Sequence, residues 1–489
     1  MAADSVLVVD VGTSGLRAAV VRPDATVDAV HHRHLPPATP FPGLVEFDAA
    51  AMASAVLEVA HAALAESGPV GAVGITSQRA STIVWDRGTG LPIGPGIGWQ
   101  DLRTVFDCLT IAGEHGVRLA PNQSATKLRW LLANSGDLAG RRLAFGTVET
   151  WVAWTLSNGA LHVTDRTNAG VTGLVDIVTV EWDERAVALM GATPDMLPTL
   201  VDSTGVLGEA TALRGAPPIA ALAGDQQASL VGQGCVQPGL AKITFGTGGM
   251  LDLCVGERRP SYETRGPNGT FPIVAWTAHG AITWGVEAVM LSAGTNVEWL
   301  VDDLGLLATP ADSHEVAATC ADAGGVVYVP ALLGLGTPRW DYGARGTLLG
   351  LTRGTGRAEV VRAVLEGVAH RGADLVEAAE ADAGAAIAAV RLDGGMSRNP
   401  TFVHAVADAL GRPVEVAPAA DATTLGAGFL AGLAIGTWSG IDDIAATWRP
   451  AATVDPVASA TDRAERRTRW ADAVERSASW IPELSAIDF

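Results

Sequence analysis

The sequence predicts an α/β protein in two domains that share one unit, and three observations carry that reading. A strand, a glycine turn and a returning strand occupy residues 5–22 and recur at 240–255; such internal duplication is a fold-level signal. A second apolar run, 219–223, ends at Gly224-Asp225 and passes into a helical pattern from Gln226. The chain of 489 residues also exceeds what one core usually serves. The boundary is placed between 236 and 237, giving domains 1–236 and 237–489.

Residues 5–10 (SVLVVD) form an apolar strand ending in an acid, 11–15 (VGTSG) turn, 16–22 return and 26–32 add a third strand. Backbone N–H groups in such a turn make an anion-binding nest, although glycine and serine suit any hairpin loop. Residues 48–67 have helical spacing. Residues 70–76 read as a strand, with Ser77-Gln78-Arg79 at its end. A strand follows at 81–86 and a Gly/Pro-rich loop at 88–98, after which Trp99 to Arg103 begin a helix. Arg79 and Trp99 suit pocket walls, or equally a surface cap and a core anchor. Residues 122–134 read as a helix entered through Ser124, 141–156 as another helix and 164–175 as a loop.

In open α/β sheets, ligands meet the carboxyl ends of strands. Asp225 stands at such an end, although Asp is also a preferred helix cap. The second half restarts with a strand at 240–245 (LAKITF), the turn Gly246-Thr247-Gly248-Gly249 and a return at 250–255. Residues 281–291 lead into a helix, 326–332 read as a strand and 358–381 as a long helix. A strand at 390–393 runs into a third glycine turn, Gly394-Gly395-Met396-Ser397, followed by a helix at 399–410 and a strand at 414–417. Residues 424–434 (TLGAGFLAGLA) form a small-residue helix able to pack close to a sheet, and 451–489 a helical tail.

Hydrophobic content of 48% with 18% charged residues fits a well-buried enzyme. A net charge of −20 argues against nucleic acid or an anionic membrane as partner, so a phosphate-bearing ligand must be met by local donors. The chain holds only two lysines, Lys127 and Lys242, against many arginines, a compositional bias. The N-terminus lacks a signal-peptide pattern, and no stretch reaches the roughly 18 apolar residues of a membrane span. Four scattered cysteines without C-x-x-C read as reduced core thiols, and the expected location is cytoplasmic.

The P-loop pattern is absent, as are zinc spacing and a clustered set of histidines. What remains is three glycine turns, two of them carrying Thr, with Asp10 and Asp225 at strand ends. Phosphoryl transfer needs those parts: N–H and hydroxyl donors for phosphate oxygens, carboxylates for Mg²⁺, and a base for the attacking hydroxyl.

With these residues the sequence resembles the FGGY carbohydrate kinases and, within them, the glycerol kinases, from about Leu7 to about Trp438. The matching stretches are Asp10-Val11-Gly12-Thr13-Ser14 with Arg17, residues 74–79 (GITSQR), Phe145-Gly146-Thr147 with Trp151, 162–168 (HVTDRTN), Gly224-Asp225-Gln226-Gln227, Phe245-Gly246-Thr247-Gly248, 346–366, and Gly394-Gly395 with Asn399. The resemblance implies two actin-like (ribonuclease H-like) ATPase domains, α/β in class, with a central cleft. The first would bind the acceptor and carry the catalytic Asp; the second would bind the nucleotide. It implies ATP and Mg²⁺, with Asp225 as base and Asp10 and Asp225 holding the metal. Gly12, Thr13, Ser14, Arg17, Thr247, Gly248, Gly294, Glu298, Gly394, Gly395 and Asn399 would serve the nucleotide. Gln78, Arg79, Ala80, Trp99, Asn122, Asp225, Gln226 and Met250 would line the acceptor site.

The implied activity is transfer of the γ-phosphate to a hydroxyl of a small polyol or sugar. The rivals are a pentulose kinase, an actin-like ATP sensor without transfer, and a phosphohydrolase on the same scaffold. Partners would be the acceptor and ATP, with no nucleic acid and no membrane; a homodimer or homotetramer is left open. The sequence departs from the glycerol-kinase pattern in the acceptor pocket. Ala80 stands where those kinases carry Glu, Asn122 where they carry Tyr, and Met250 where they carry an aromatic residue, while Trp99-x-Asp101-x-Arg103 is more similar to other branches.

Overall fold

The computed structural model describes residues 4–418 and 421–489. The duplication appears in the sheet order. In the first half, Val6–Val11 pairs antiparallel with Gly15–Val21, which pairs antiparallel with Val27–His34. On its other side Val6–Val11 takes Ala72–Ser77 in parallel, and Pro218–Gly224 lies parallel beyond that. The second half repeats the plan. Leu240–Phe245 pairs antiparallel with Gly249–Gly256, then Ala281–Met290, and on its other flank takes Ala389–Asp393 and Val414–Val416 in parallel. Both halves join in one 13-stranded sheet through Thr204 beside Ala278.

Parallel neighbours need covered faces, and helices supply them. Asp48 caps Ala49–Ser67 by accepting from the backbone of Ala50 and Ala51. This helix has the length and mean hydropathy, 1.3, of a membrane span. Its Met52, Val56 and Val59 instead join Leu7, Val9 and Leu16 in the first-half core. A second core forms around Ile243, Leu253, Val364 and Phe402. A third apolar cluster unites the halves, with Val6, Val8 and Ala220 against Ala427, Phe429 and Leu430. The small-residue helix Ala422–Ile435 thus packs on the sheet of the first half, across the boundary expected at 236/237. It also meets the helix Asp225–Gly232 closely enough that a Cβ on Gly426 would sit 1.7 Å from the Ala228 carbonyl oxygen.

Several expectations change. Residues 141–156 contain a strand, Leu143–Gly146, before the helix Val148–Leu156, because Ile83–Asp86 pairs with it antiparallel. Residues 164–175 are not all loop: Val163–Asp165 pairs with Thr199–Val201, and Asp165 caps the turn of helix Arg166–Ala169. Trp99 to Arg103 form a turn, and the helix begins at Val105. Asp101 holds that turn by accepting from the backbone N–H of Val45 and Arg103. Ala281–Met290 is a ten-residue strand, hairpinned with Phe271–Ala278, and the helix it leads to starts at Thr295. The tail holds a strand, Ala452–Val454, before helices Ala460–Ser477 and Pro482–Ser485. All four cysteines are free, three of them buried.

Candidate functional site

The two hairpin turns are built alike. The first closes with Gly12 N–H donating to Gly15 O at 2.9 Å. In the second, the carbonyls of Gly246 and Thr247 accept from Gly294 (2.8 Å) and Ala293 (2.9 Å), so that edge of the loop faces the following segment. Among the described residues, the amides of Thr13, Ser14, Gly246, Thr247 and Gly248 donate to no protein group. Unpaired amides gathered in turns form anion-binding concavities. Gly294 must be glycine, since its Cβ would lie 2.6 Å from Gly246 O. The third turn backs onto the second: Gly394 (φ +88°) comes so close to Phe245 that a Cβ would meet its carbonyl oxygen at 2.4 Å. Gly395 borders open space. Asn399 caps the helix Pro400–Leu410 through Phe402 N–H and donates to Ser313 Oγ at 3.0 Å. Glu298 is exposed on the first turn of Thr295–Asp302.

Asp225 does not act as a helix cap. Gly224 occupies the cap position of Asp225–Gly232, and among the described residues the Asp225 carboxylate accepts only from the next N–H, Gln226, at 2.8 Å. Burial pushes its carboxyl above the usual range, opposed by Arg79 and raised further by nearby Asp10. Asp10, also raised by burial, accepts from Arg17 Nε at 3.0 Å, and Arg17 reaches on to Asp421 at 2.6 Å. Arg17 therefore spends its guanidinium on carboxylates.

Beside the first turn, Gln78 is a brace: its amide donates to Gly12 O at 3.3 Å and accepts from Ser81 Oγ at 3.2 Å. Ala80 holds a left-handed backbone, φ +61°, which is strained for a residue with a Cβ and marks the turn as fixed by its surroundings. Trp99, 38% exposed, donates its indole N–H to Thr13 Oγ1 at 3.1 Å, joining the segment from Trp99 to Arg103 to the first turn. Asn122 is exposed, and its carbonyl accepts from Lys127 Nζ at 3.0 Å. Met250 is half-buried.

Sequence reasoning missed a charged row beneath this site. Glu415, Arg391, Lys242, Asp252 and Glu287 are successive register partners across five neighbouring strands. Lys242 is fully buried, with Nζ 2.7 Å from Asp252 Oδ2, 2.5 Å from Gln226 Oε1 and 3.0 Å from Thr244 Oγ1. Glu287 contacts Arg79 Nη2 at 2.6 Å, and Arg79 Nε lies 3.8 Å from Asp225 Oδ1. Burial outweighs Arg79 and pushes Glu287 up to about 7. The second lysine, Lys127, is also fully buried, and burial lowers it to about 7. Both lysines are therefore interior groups. An acid in the middle of each apolar strand, Asp252 in MLDLCV and Glu287 in WGVEAVM, was the available signal.

Models of the FGGY family of carbohydrate kinases match this chain twice: the N-terminal domain over residues 5–232 and the C-terminal domain over 241–435. A glycerol kinase of Aromatoleum aromaticum is 41% identical, covering 97% of this chain and 99% of its own length. A glycerol kinase of Trichlorobacter lovleyi is likewise 41% identical, over 97% and 99%. The crystal structure of Plasmodium falciparum glycerol kinase with ADP superposes with a TM-score of 0.90 at 26% identity, covering 99% of both chains.

Proposed function

The chain belongs to the FGGY family of carbohydrate kinases, and from that premise we propose that it moves the γ-phosphate of ATP onto a hydroxyl of a small polyol or sugar in the manner of a glycerol kinase. The observation that carries this reading is the pairing of two turns of unpaired amides with a half-buried carboxylate, Asp225, that is not spent as a cap. Thr13, Ser14, Thr247 and Gly248 offer hydroxyl and amide donors to phosphate oxygens, which a protein of net charge −20 must supply locally. Gly12 keeps the first turn tight, and Gly294, Gly394, Gly395 and Asn399 shape the nucleotide side, with Glu298 at its rim. Arg79, Trp99, Gln226 and Met250 hold the acceptor, next to the space left by Ala80 and Asn122.

In the transfer, Asp225 takes the proton of the acceptor hydroxyl as that oxygen bonds the γ-phosphorus. The bond from that phosphorus to the bridging oxygen breaks, and ADP carries the electron pair away. Its carboxyl, raised by burial, is a stronger base than an exposed Asp. Among the described residues there is no group of three or more His, Cys, Asp or Glu arranged to hold a metal. Asp10 and Asp225 are instead two carboxylates that repel each other. That donor set suits Mg²⁺ brought in on phosphate, which keeps most of its waters and takes one or two carboxylates. Such an ion would neutralise charge building on the phosphate oxygens.

Asp225→Asn keeps the shape and removes the base, so kcat should fall by about 10²–10⁴-fold with the melting temperature retained. ADP release with and without an acceptor measures it. Turnover within about threefold of the parent, or equal ADP release without acceptor, would replace transfer with ATP hydrolysis or simple nucleotide binding.

A further inference from the structure

The orientation of one amide narrows the acceptor class, resting on the kinase reading above. Gln226 is half-buried beside Asp225. Its amide oxygen lies 2.5 Å from Lys242 Nζ, and an ammonium can only donate, so the oxygen, not the nitrogen, faces Lys242. Lys242 cannot turn away: it is fully buried and also meets Asp252 and Thr244. The Gln226 amide nitrogen has no partner among the described residues and is left for the cleft. On the other side of Asp225, Glu287 pins Arg79, whose buried Nη1 has no hydrogen-bond partner. Among the described residues, Asp225 is thus flanked by two donors without a protein partner, the half-buried Gln226 amide nitrogen and the enclosed Arg79 Nη1. The position that would hold a carboxylate in the glycerol-kinase pattern carries Ala80.

We propose that Lys242 is a positioning residue that fixes Gln226 as a donor, and that the acceptor site consequently selects a hydroxyl next to a ketone over the polyol of equal chain length. A carbonyl oxygen accepts two hydrogen bonds and brings no proton that needs an acceptor. A hydroxyl at the same carbon brings an O–H, and with Ala80 in place it faces no carboxylate beyond the one occupied with the reacting hydroxyl. The transfer step is unchanged: the neighbouring hydroxyl gives its proton to Asp225, its oxygen gains the phosphorus, and ADP leaves.

The test is kcat/KM for matched pairs, dihydroxyacetone against glycerol and xylulose against xylitol, by ADP release. The ketone should lead each pair by about tenfold, the scale of one unsatisfied polar group. Gln226→Glu has the same shape and replaces the free donor with a carboxylate oxygen; it should lower the ketone-to-polyol ratio by at least about threefold, through acceptor KM, with ATP KM held. The double variant Lys242→Met with Asp252→Leu removes both members of the buried pair, so no charge is stranded. It frees the amide to turn and should move the ratio the same way. A polyol equal to or better than its ketone in the parent enzyme overturns the inference and leaves the kinase standing. So does a ratio unmoved in both variants. ADP release with no acceptor in the panel overturns the kinase reading itself.

Discussion

The two halves share a sheet order, yet the same row of each is filled with opposite chemistry. In the first half, Val8 pairs with Ala19 and Gly74, all buried. The helix Ala422–Ile435 lies so close over it that a Cβ on Gly74 would come 2.6 Å from Ala427 O. The corresponding row of the second half is Arg391, Lys242, Asp252 and Glu287. Over it lies the helix Asp225–Gly232, with Gln226 bonded to Lys242, the Gln233 carbonyl to Arg391 and Ser229 to Asp393. The apolar row lets backbones approach. The charged row costs desolvation, which its ion pairs offset, and it holds Gln226 and Arg79 by direct contact with Lys242 and Glu287. The half whose row is charged is the half that orients Asp225, Gln226 and Arg79.

Breaking one member of each row tests this contrast most strongly. Lys242→Met alone strands Asp252 in the interior and should destabilise by about 3–5 kcal/mol, most of it regained when Asp252→Leu is added. Gly74→Ala pushes a methyl into the Ala427 carbonyl and should cost about 1–3 kcal/mol with no comparable rescue, since nothing electrostatic is left unpaired. Denaturant melts of the three proteins read the difference. Equal losses for the single and double changes at 242 and 252 would mean the row is held by shape and not by charge.

Much of this plan was legible in the sequence, and the reason is local. The strand–turn–strand units, the glycine turns and the acid at the end of 219–224 are contiguous, so periodicity and turn chemistry expose them. The charged row was not legible because, although Lys242 and Asp252 share one hairpin, its other members come from strands separated by longer stretches of chain, and register decides that they meet. Asp252 and Glu287 each look like an isolated polar residue in an apolar strand until pairing sets them side by side. Leu143–Gly146 was hidden in the same way, since it becomes a strand only through Ile83–Asp86. The family resemblance supplied the roles at the acceptor wall. It did not show that Gln78 braces the first turn or that Arg17 is held by Asp10 and Asp421.

One buried glutamate in each half sharpens the comparison through pH. Glu149 accepts from the hydroxyls of Thr164 at 2.7 Å and Thr150 at 3.1 Å, while Glu287 faces Arg79. Burial pushes both to about 7 from an ordinary 4.5. Between those values the folded protein holds protons that the unfolded chain releases, so stability falls as pH rises through that window, by up to about 1.4 kcal/mol per pH unit per group. Glu149→Gln and Glu287→Gln should each flatten the decline of Tm between pH 4.5 and pH 7. Only Glu287→Gln should also raise the acceptor KM, because Arg79 loses its partner. A Tm profile identical to the parent's in both variants would place neither titration in that window.

The smallest expected effect separates the two turns themselves. Thr13 and Thr247 hold corresponding places in the two hairpins, but their hydroxyls are not equivalent. Thr247 is exposed, and its hydroxyl has no partner among the described residues. Thr13 Oγ1 accepts from the Trp99 indole at 3.1 Å. A hydrogen bond contributes about 0.5–1.5 kcal/mol net, or roughly two- to tenfold in affinity. Thr247→Val keeps the shape, so it should raise the ATP KM by that factor and leave the acceptor KM alone. Thr13→Val should raise the ATP KM similarly and, by releasing Trp99, also weaken the acceptor KM. Steady-state kinetics with each substrate varied in turn distinguish the two patterns. An ATP KM unchanged in both variants would remove the turns from the phosphate site. An acceptor KM unchanged in Thr13→Val would show that the wall at Trp99 stands without the first turn, and that the two turns differ in neighbours but not in task.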